Sequence, residues 1–205
     1  MICVHECGLS ERVEKIRSVT HMLEPNLALM RDNPWSKIPT LITDSGLVLM
    51  DSDVICEYLD SLQGAPRLHP SDPAQRWPAL RWRAFGSEML DVLILWRNER
   101  ARSSAQQLPM LLEAFALKMR MGLAMLERQV DELAGAPLHI GHVAIGCALG
   151  YLDFRFADLE WRSAQPRLAL WQAQFKLRPA VRATEPDDDT PRAAAPTARP
   201  EAGSG

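Results

Sequence analysis

The side chains best placed for chemistry are Asp51-Ser52, at the head of an apolar-periodic run. A helix start offers free N–H groups and the positive end of the helix dipole, so a carboxylate fits there. Ser52 adds a hydroxyl donor, and Asp51 an acceptor for an amine. The same two residues serve equally well as an ordinary N-cap, and both roles can hold at once because they use neighbouring groups. A second candidate is Lys37-Ile38-Pro39, a cation beside an X-Pro bond. Only X-Pro bonds adopt the cis form with any frequency. On these residues alone the proline reads as an ordinary trans proline in a loop before a strand, and Lys37 as equally a carboxylate partner or a solvated surface lysine.

The remaining reactive residues form weaker patterns. Cys3, Cys7, Cys56 and Cys147 make no CxxC pair, and their scatter opposes both a zinc site and a disulfide framework. Cys56 and Cys147 sit in apolar helical contexts and read as buried thiols acting as small hydrophobes. His139-Ile140-Gly141-His142 has the spacing of a metal pair, but no third ligand accompanies it, so it reads as a helix-capping variation and no metal is expected. His5 and His21 read as surface or loop residues.

The elements that must position these groups divide the chain. Thr40–Thr43 and Leu47–Met50 are short apolar runs around Asp44-Ser45-Gly46, which predicts a β-hairpin. Glu11–Val19 alternates partly and suggests a weak strand. Apolar residues at 54, 55, 58, 59 and 62 predict an amphipathic helix from Ser52. Residues 64–73 hold three prolines and read as a linker. Beyond it four apolar stripes predict helices: Phe85, Met89, Val92 and Trp96; Leu112 to Leu133; Val143, Cys147, Tyr151 and Phe154; Leu168, Trp171 and Phe175. Stripes this regular read as packing surfaces. Residues 185–205, rich in Pro, Ala and acids, read as a disordered tail. The net charge is −3. The tail contributes five acids and two bases, so the body is formally neutral and gives no electrostatic reason to expect nucleic acid or an anionic membrane. No apolar run reaches membrane-spanning length and no signal peptide is evident, which makes the cytoplasm the expected compartment.

Asn33-Pro34-Trp35-Ser36-Lys37-Ile38-Pro39, Asp51-Ser52 through Tyr58-Leu59, Gly141 through Arg155, and Arg178-Pro179-Ala180-Val181 together resemble, in order, segments of cytosolic glutathione transferases of a bacterial branch. The resemblance runs from about Met1 to Pro186. It implies an α+β thioredoxin-like N-terminal domain over residues 1–63, the linker at 64–73, and an all-α glutathione-transferase C-terminal domain over 74–184. It implies glutathione as co-substrate, conjugated as its thiolate to a small apolar electrophile, and a homodimer. Lys37, Ile38, Pro39, Asp51 and Ser52 would hold glutathione, with Ile38-Pro39 cis and Ile38 pairing its backbone with the cysteinyl unit like an added strand. Trp82, Met89 and Trp96 are the candidates for the electrophile pocket, and all three read equally as core.

Three departures from the family pattern carry expectations of their own. Cys3-Val4-His5-Glu6-Cys7-Gly8-Leu9 resembles the end of the family's first helix, so the first strand and the loop bearing the catalytic Ser, Tyr or Cys are expected upstream of Met1, and no catalytic residue is assigned. Cys3 and Cys7 would lie at the far end of that helix from the glutathione sulfur. A binding or dimerisation module without chemistry is then the alternative to an enzyme, and an initiator Met placed inside the first helix is a third reading. His139 and His142 stand where the family often has a Ser/Thr and Asp capping pair, so the cap is expected to be weaker by roughly 1 kcal/mol. Trp35-Ser36 stand where a small residue and Gly are common, which unsettles the local turn.

Overall fold

A computed structural model describes residues 1–62 and 68–186. The expected linker residues 64–67 and tail residues 187–205 lie outside the described part. The chain starts with a short helix, α1 (Ile2–Glu6), and reaches a hairpin of β1 (Thr40–Ile42) and β2 (Val48–Met50), followed by α2 (Ser52–Ser61). A helical unit follows: α3 (Pro73–Arg100), α4 (Pro109–Ala134), α5 (Ile140–Arg155), α6 (Pro166–Lys176) and α7 (Pro179–Arg182). This is a small α+β unit with a two-stranded sheet, then an all-α unit.

The hairpin forms where the turn residues predict it. Thr40, Leu41 and Ile42 pair with Met50, Leu49 and Val48 in antiparallel register. Gly46 takes φ 82° in the turn, a conformation its missing side chain permits. The weak strand expected over Glu11–Val19 does not form: residues 14–21 carry no regular structure. A strand needs a partner for its backbone groups. The only sheet among the described residues is the β1–β2 pair. Ile16 and Val19, freed from any sheet face, are 78 % and 59 % exposed.

Prolines and caps start the helices. Pro73, Pro109, Pro166 and Pro179 each open a helix at a position where the missing N–H costs nothing. The Asp72 side chain also accepts from Ala74 N at 3.0 Å at the start of α3. One apolar cluster fills the space between α3, α4, α5 and α6, built on Trp82, Leu93, Leu126, Leu149, Leu152 and Leu168. A second joins α1 and α2 to the start of α5 and to α7, through Val4, Leu59, Leu68, Val143 and Phe175. The stripe on α4 is buried as its spacing predicts, from Phe115 to Leu133. On α5 the buried face is different: Ile145, Ala148, Leu149 and Leu152 point inward, while Cys147 is exposed and Tyr151 half-buried. This helix is packed from several sides, so its apolar residues run all round and do not mark one phase. α3 crosses it closely at Gly86, where a Cβ would stand 2.5 Å from the Ala144 carbonyl carbon.

Candidate functional site

The register of the hairpin assembles the candidate site. Thr40 opposite Met50 is the last ladder pair at the open end. Pro39 and Asp51 are the next residues on their respective strands, which sets Ile38-Pro39 beside Asp51-Ser52. The Ile38–Pro39 bond is cis. Lys37, Ile38, Pro39, Asp51 and Ser52 are all exposed.

Each half of the site is held from behind. Asn33, only 2 % exposed, donates from Nδ2 to Lys37 O at 3.1 Å and to Thr40 Oγ1 at 3.0 Å, and accepts from Trp35 N at 3.1 Å. Ser36 takes φ 52°, the left-handed conformation that glycine would adopt freely, and its Oγ accepts from Asn26 N at 2.8 Å. The turn that Trp35-Ser36 put in question is therefore made, with a serine in the glycine-type conformation. On the other half Asp51 caps α2 through Oδ1, which accepts from Asp53 N at 2.8 Å. Asp51 has φ 75°, a strained backbone for a residue with a Cβ. The Ser52 hydroxyl makes no hydrogen bond among the described residues.

Two residues beside this turn were not anticipated. Asp53 forms an ion pair with Arg83 of α3 at 3.0 Å. Burial pushes the Asp53 carboxyl up from its ordinary range, and the Arg83 guanidinium opposes that shift. Arg83 Nε is buried without a partner. One helical turn further along α2, Glu57 pairs with Arg76 at 2.6 Å, and the hydrogen bond from Arg76 holds its carboxyl low. Acids four apart on α2 thus meet arginines seven apart on α3 in reverse order, a pattern present in the sequence but meaningful only once the two helices are known to run side by side.

Asp60, at the end of α2, fixes where α3 starts. Its buried carboxylate accepts from Leu68 N at 3.0 Å, His69 N at 2.8 Å and His69 Nδ1 at 2.9 Å. Cys7 Sγ lies 3.8 Å from the same carboxylate. Cys3 and Cys7 are 3 % and 2 % exposed, with sulfurs 3.9 Å apart. The hydrogen bond of Cys3 to Cys56, reinforced by burial, holds its thiol far above the usual range, and burial pushes Cys7 up. Neither thiol is poised as a thiolate. The expectation that Cys56 and Cys147 are the buried pair is corrected: Cys56 is half-buried and Cys147 exposed, while Cys3 and Cys7 fill the core.

The histidine pair at the start of α5 forms a complete reciprocal cap. His139 Nδ1 accepts from Gly141 N at 3.1 Å, and His142 Nδ1 accepts from His139 N at 3.2 Å. His142 Nε2 donates to Leu133 O at 2.8 Å. The expected loss of capping is thus corrected, since neutral imidazoles supply the two acceptors that Ser/Thr and Asp otherwise would. Burial, with His142 beside it, pulls the His139 imidazole down to about 4. Burial likewise lowers His142.

The three candidates for an electrophile pocket are placed differently from one another. Trp82 and Trp96 are 1 % and 6 % exposed and belong to the helical core, the second of the two readings their stripe allowed. Met89 lines a cavity of about 230 Å³ between α3 and α4, with Phe85, Val92 and Lys118. No group of three or more metal-ligating side chains comes together among the described residues. No helix among them is long and apolar enough to cross a membrane.

Comparison with known proteins agrees with this architecture. Residues 1–62 match the glutathione S-transferase N-terminal domain, and residues 109–172 the glutathione S-transferase C-terminal domain. The chain is 30 % identical over 156 residues to an uncharacterized GST-like protein, YibF, of Escherichia coli K12, covering 75 % of this chain and 77 % of that one. A glutathione transferase family member from Pseudomonas fluorescens Pf-5, solved with bound glutathione, is 40 % identical and superposes with a TM-score of 0.86 over 91 % of each chain. A glutathione S-transferase from Methylobacillus flagellatus KT, also solved with glutathione bound, is 27 % identical with a TM-score of 0.80, over 91 % of this chain and 92 % of that one.

Proposed function

The chain belongs to the glutathione S-transferase family, and from that premise we propose that it binds glutathione at Lys37, Ile38, Pro39, Asp51 and Ser52. The observation that carries this reading is the hairpin register, which sets Ile38-Pro39 beside Asp51-Ser52 at one open end. The γ-glutamyl carboxylate lies at the N-terminus of α2 and takes the free Ser52 hydroxyl. The amine pairs with Asp51 Oδ2, because Oδ1 is occupied by the cap. The cysteinyl backbone pairs with Ile38, and Lys37 meets the glycyl carboxylate. Asp53 and Arg83 anchor α2 beneath the ligand.

The reaction proposed is transfer of the glutathione thiolate to an electrophilic carbon of a small apolar compound, by a homodimer in the cytoplasm. The five residues grip the tripeptide; none of them is assigned to activate its sulfur. In the family that task falls to a Ser, Tyr or Cys in the loop ahead of the first helix, whose last turns α1 resembles. For the electrophile, Met89 keeps an open side, with Trp82 and Trp96 behind it in the core.

Two measurements test this reading. The purified chain is expected to be retained on immobilised glutathione and released by free glutathione. Passage without retention would overturn the binding assignment. Turnover of an aryl halide such as 1-chloro-2,4-dinitrobenzene reads the chemistry. Retention without turnover would reduce the protein to a glutathione-binding module.

A further inference from the structure

The largest groove described lies in the helical unit, between the C-terminal half of α4 and α6, and has a volume of about 570 Å³. It shares no residue with the proposed glutathione site. Its size falls within the range of small-molecule pockets.

Its walls point to one kind of ligand. Trp171 and Phe175 are stacked with centroids 5.4 Å apart and planes 12° from parallel. His142 extends that aromatic row, 6.1 Å from Trp171. Leu133 and Leu138 complete an apolar lining. Two donors stand among these surfaces. Arg178 gives Nε and Nη2 to Glu6, at 2.8 and 3.0 Å, and this leaves Nη1. Gln174 is exposed, and its side-chain amide makes no hydrogen bond among the described residues. The other arginine in the wall, Arg167, is already committed to Asp131 and to the Glu127 backbone. An aromatic lining with spare donors favours a flat ring system bearing an acid.

We propose that this groove binds an aromatic acid, with its rings against Trp171 and Phe175 and its anionic group on Arg178 Nη1 and the Gln174 amide. The probe is 8-anilinonaphthalene-1-sulfonate, added to the full chain with saturating glutathione and followed by its fluorescence and by energy transfer from tryptophan. One saturable site is expected. Gln174→Glu sets a negative charge against the acid, and Leu170→Asp puts one at a rim position that is 69 % exposed. Each is expected to weaken binding at least tenfold with an unchanged circular dichroism melt. The uncharged analogue N-phenyl-1-naphthylamine is expected to bind at least tenfold more weakly than the sulfonate. Unaltered affinity in both variants, equal binding of the uncharged analogue, displacement by glutathione, or no saturable binding would each overturn the proposal.

Discussion

Acid should loosen this protein through the cap of α5, and the structure supplies the size of the effect. His139 works as a cap only while Nδ1 carries a lone pair for Gly141 N, so protonation there destroys the contact. Its imidazole falls from 6.5 to about 4 on folding, chiefly through burial. Between those values the unfolded chain binds the proton and the folded chain does not, so stability rises with pH across the window. The contribution is complete above about pH 6.5 and is lost as the pH falls toward 4. At 1.36 kcal/mol per pKa unit, the loss amounts to about 3 kcal/mol. His142, lowered for the same first reason, acts in the same direction. Urea unfolding at several pH values from 8 to 4 measures the effect, with His139→Ser as the reference that caps without titrating. Carboxylates titrate in both proteins, so the difference between the two curves isolates the imidazole. The wild-type chain should lose about 3 kcal/mol relative to His139→Ser between pH 7 and 4. Parallel curves, or a wild-type chain that gains stability relative to the variant on acidification, would refute the reasoning.

Other perturbations follow from the contacts around α2. Arg83→Met leaves Asp53 in its partly buried position without a counter-charge and should destabilise by about 1–2 kcal/mol in urea unfolding; Asp53→Asn in the same chain should recover much of that loss. Asp60→Ala strands three N–H donors of Leu68 and His69 and should lower stability by about 3 kcal/mol or more, read from the same titration, whereas the exposed pair Arg81–Glu132 should matter by less than about 1 kcal/mol.

The parts of the fold legible in the sequence are those whose local chemistry has one solution. Asp44-Ser45-Gly46 between two apolar runs demands a reversal, and the hairpin is there. Asp51-Ser52 ahead of a periodic run demands a helix start, and α2 begins at Ser52. The α4 stripe faces one neighbouring layer, so its spacing gives its buried face. Legibility fails where tertiary context decides. Glu11–Val19 has a partial strand pattern and no neighbouring strand to satisfy it. α5 is apolar on most sides, so spacing could not say that Cys147 faces outward. Histidines seldom cap, because a cap needs the imidazole neutral with Nδ1 as acceptor. Only burial and the bond from His142 Nε2 to Leu133 O reveal that state. Half of the candidate site, Ile38-Pro39 and Asp51-Ser52, was visible as segments. Its support by Arg83 depends on how α3 passes α2, which no single segment records.

The central claim is that glutathione is gripped at Asp51-Ser52 beside Ile38-Pro39, and isothermal titration of glutathione into the wild-type chain and Asp51→Asn/Ser52→Ala tests it most directly. Asn retains the capping acceptor at position 51, so α2 and the melt should be preserved while the charge for the ligand amine and the Ser52 hydroxyl are lost. Hydrogen bonds to charged groups contribute about 1.5–3 kcal/mol, so affinity should fall by roughly ten- to a hundredfold or more. Equal affinity in the two proteins, with both folded, would contradict the account.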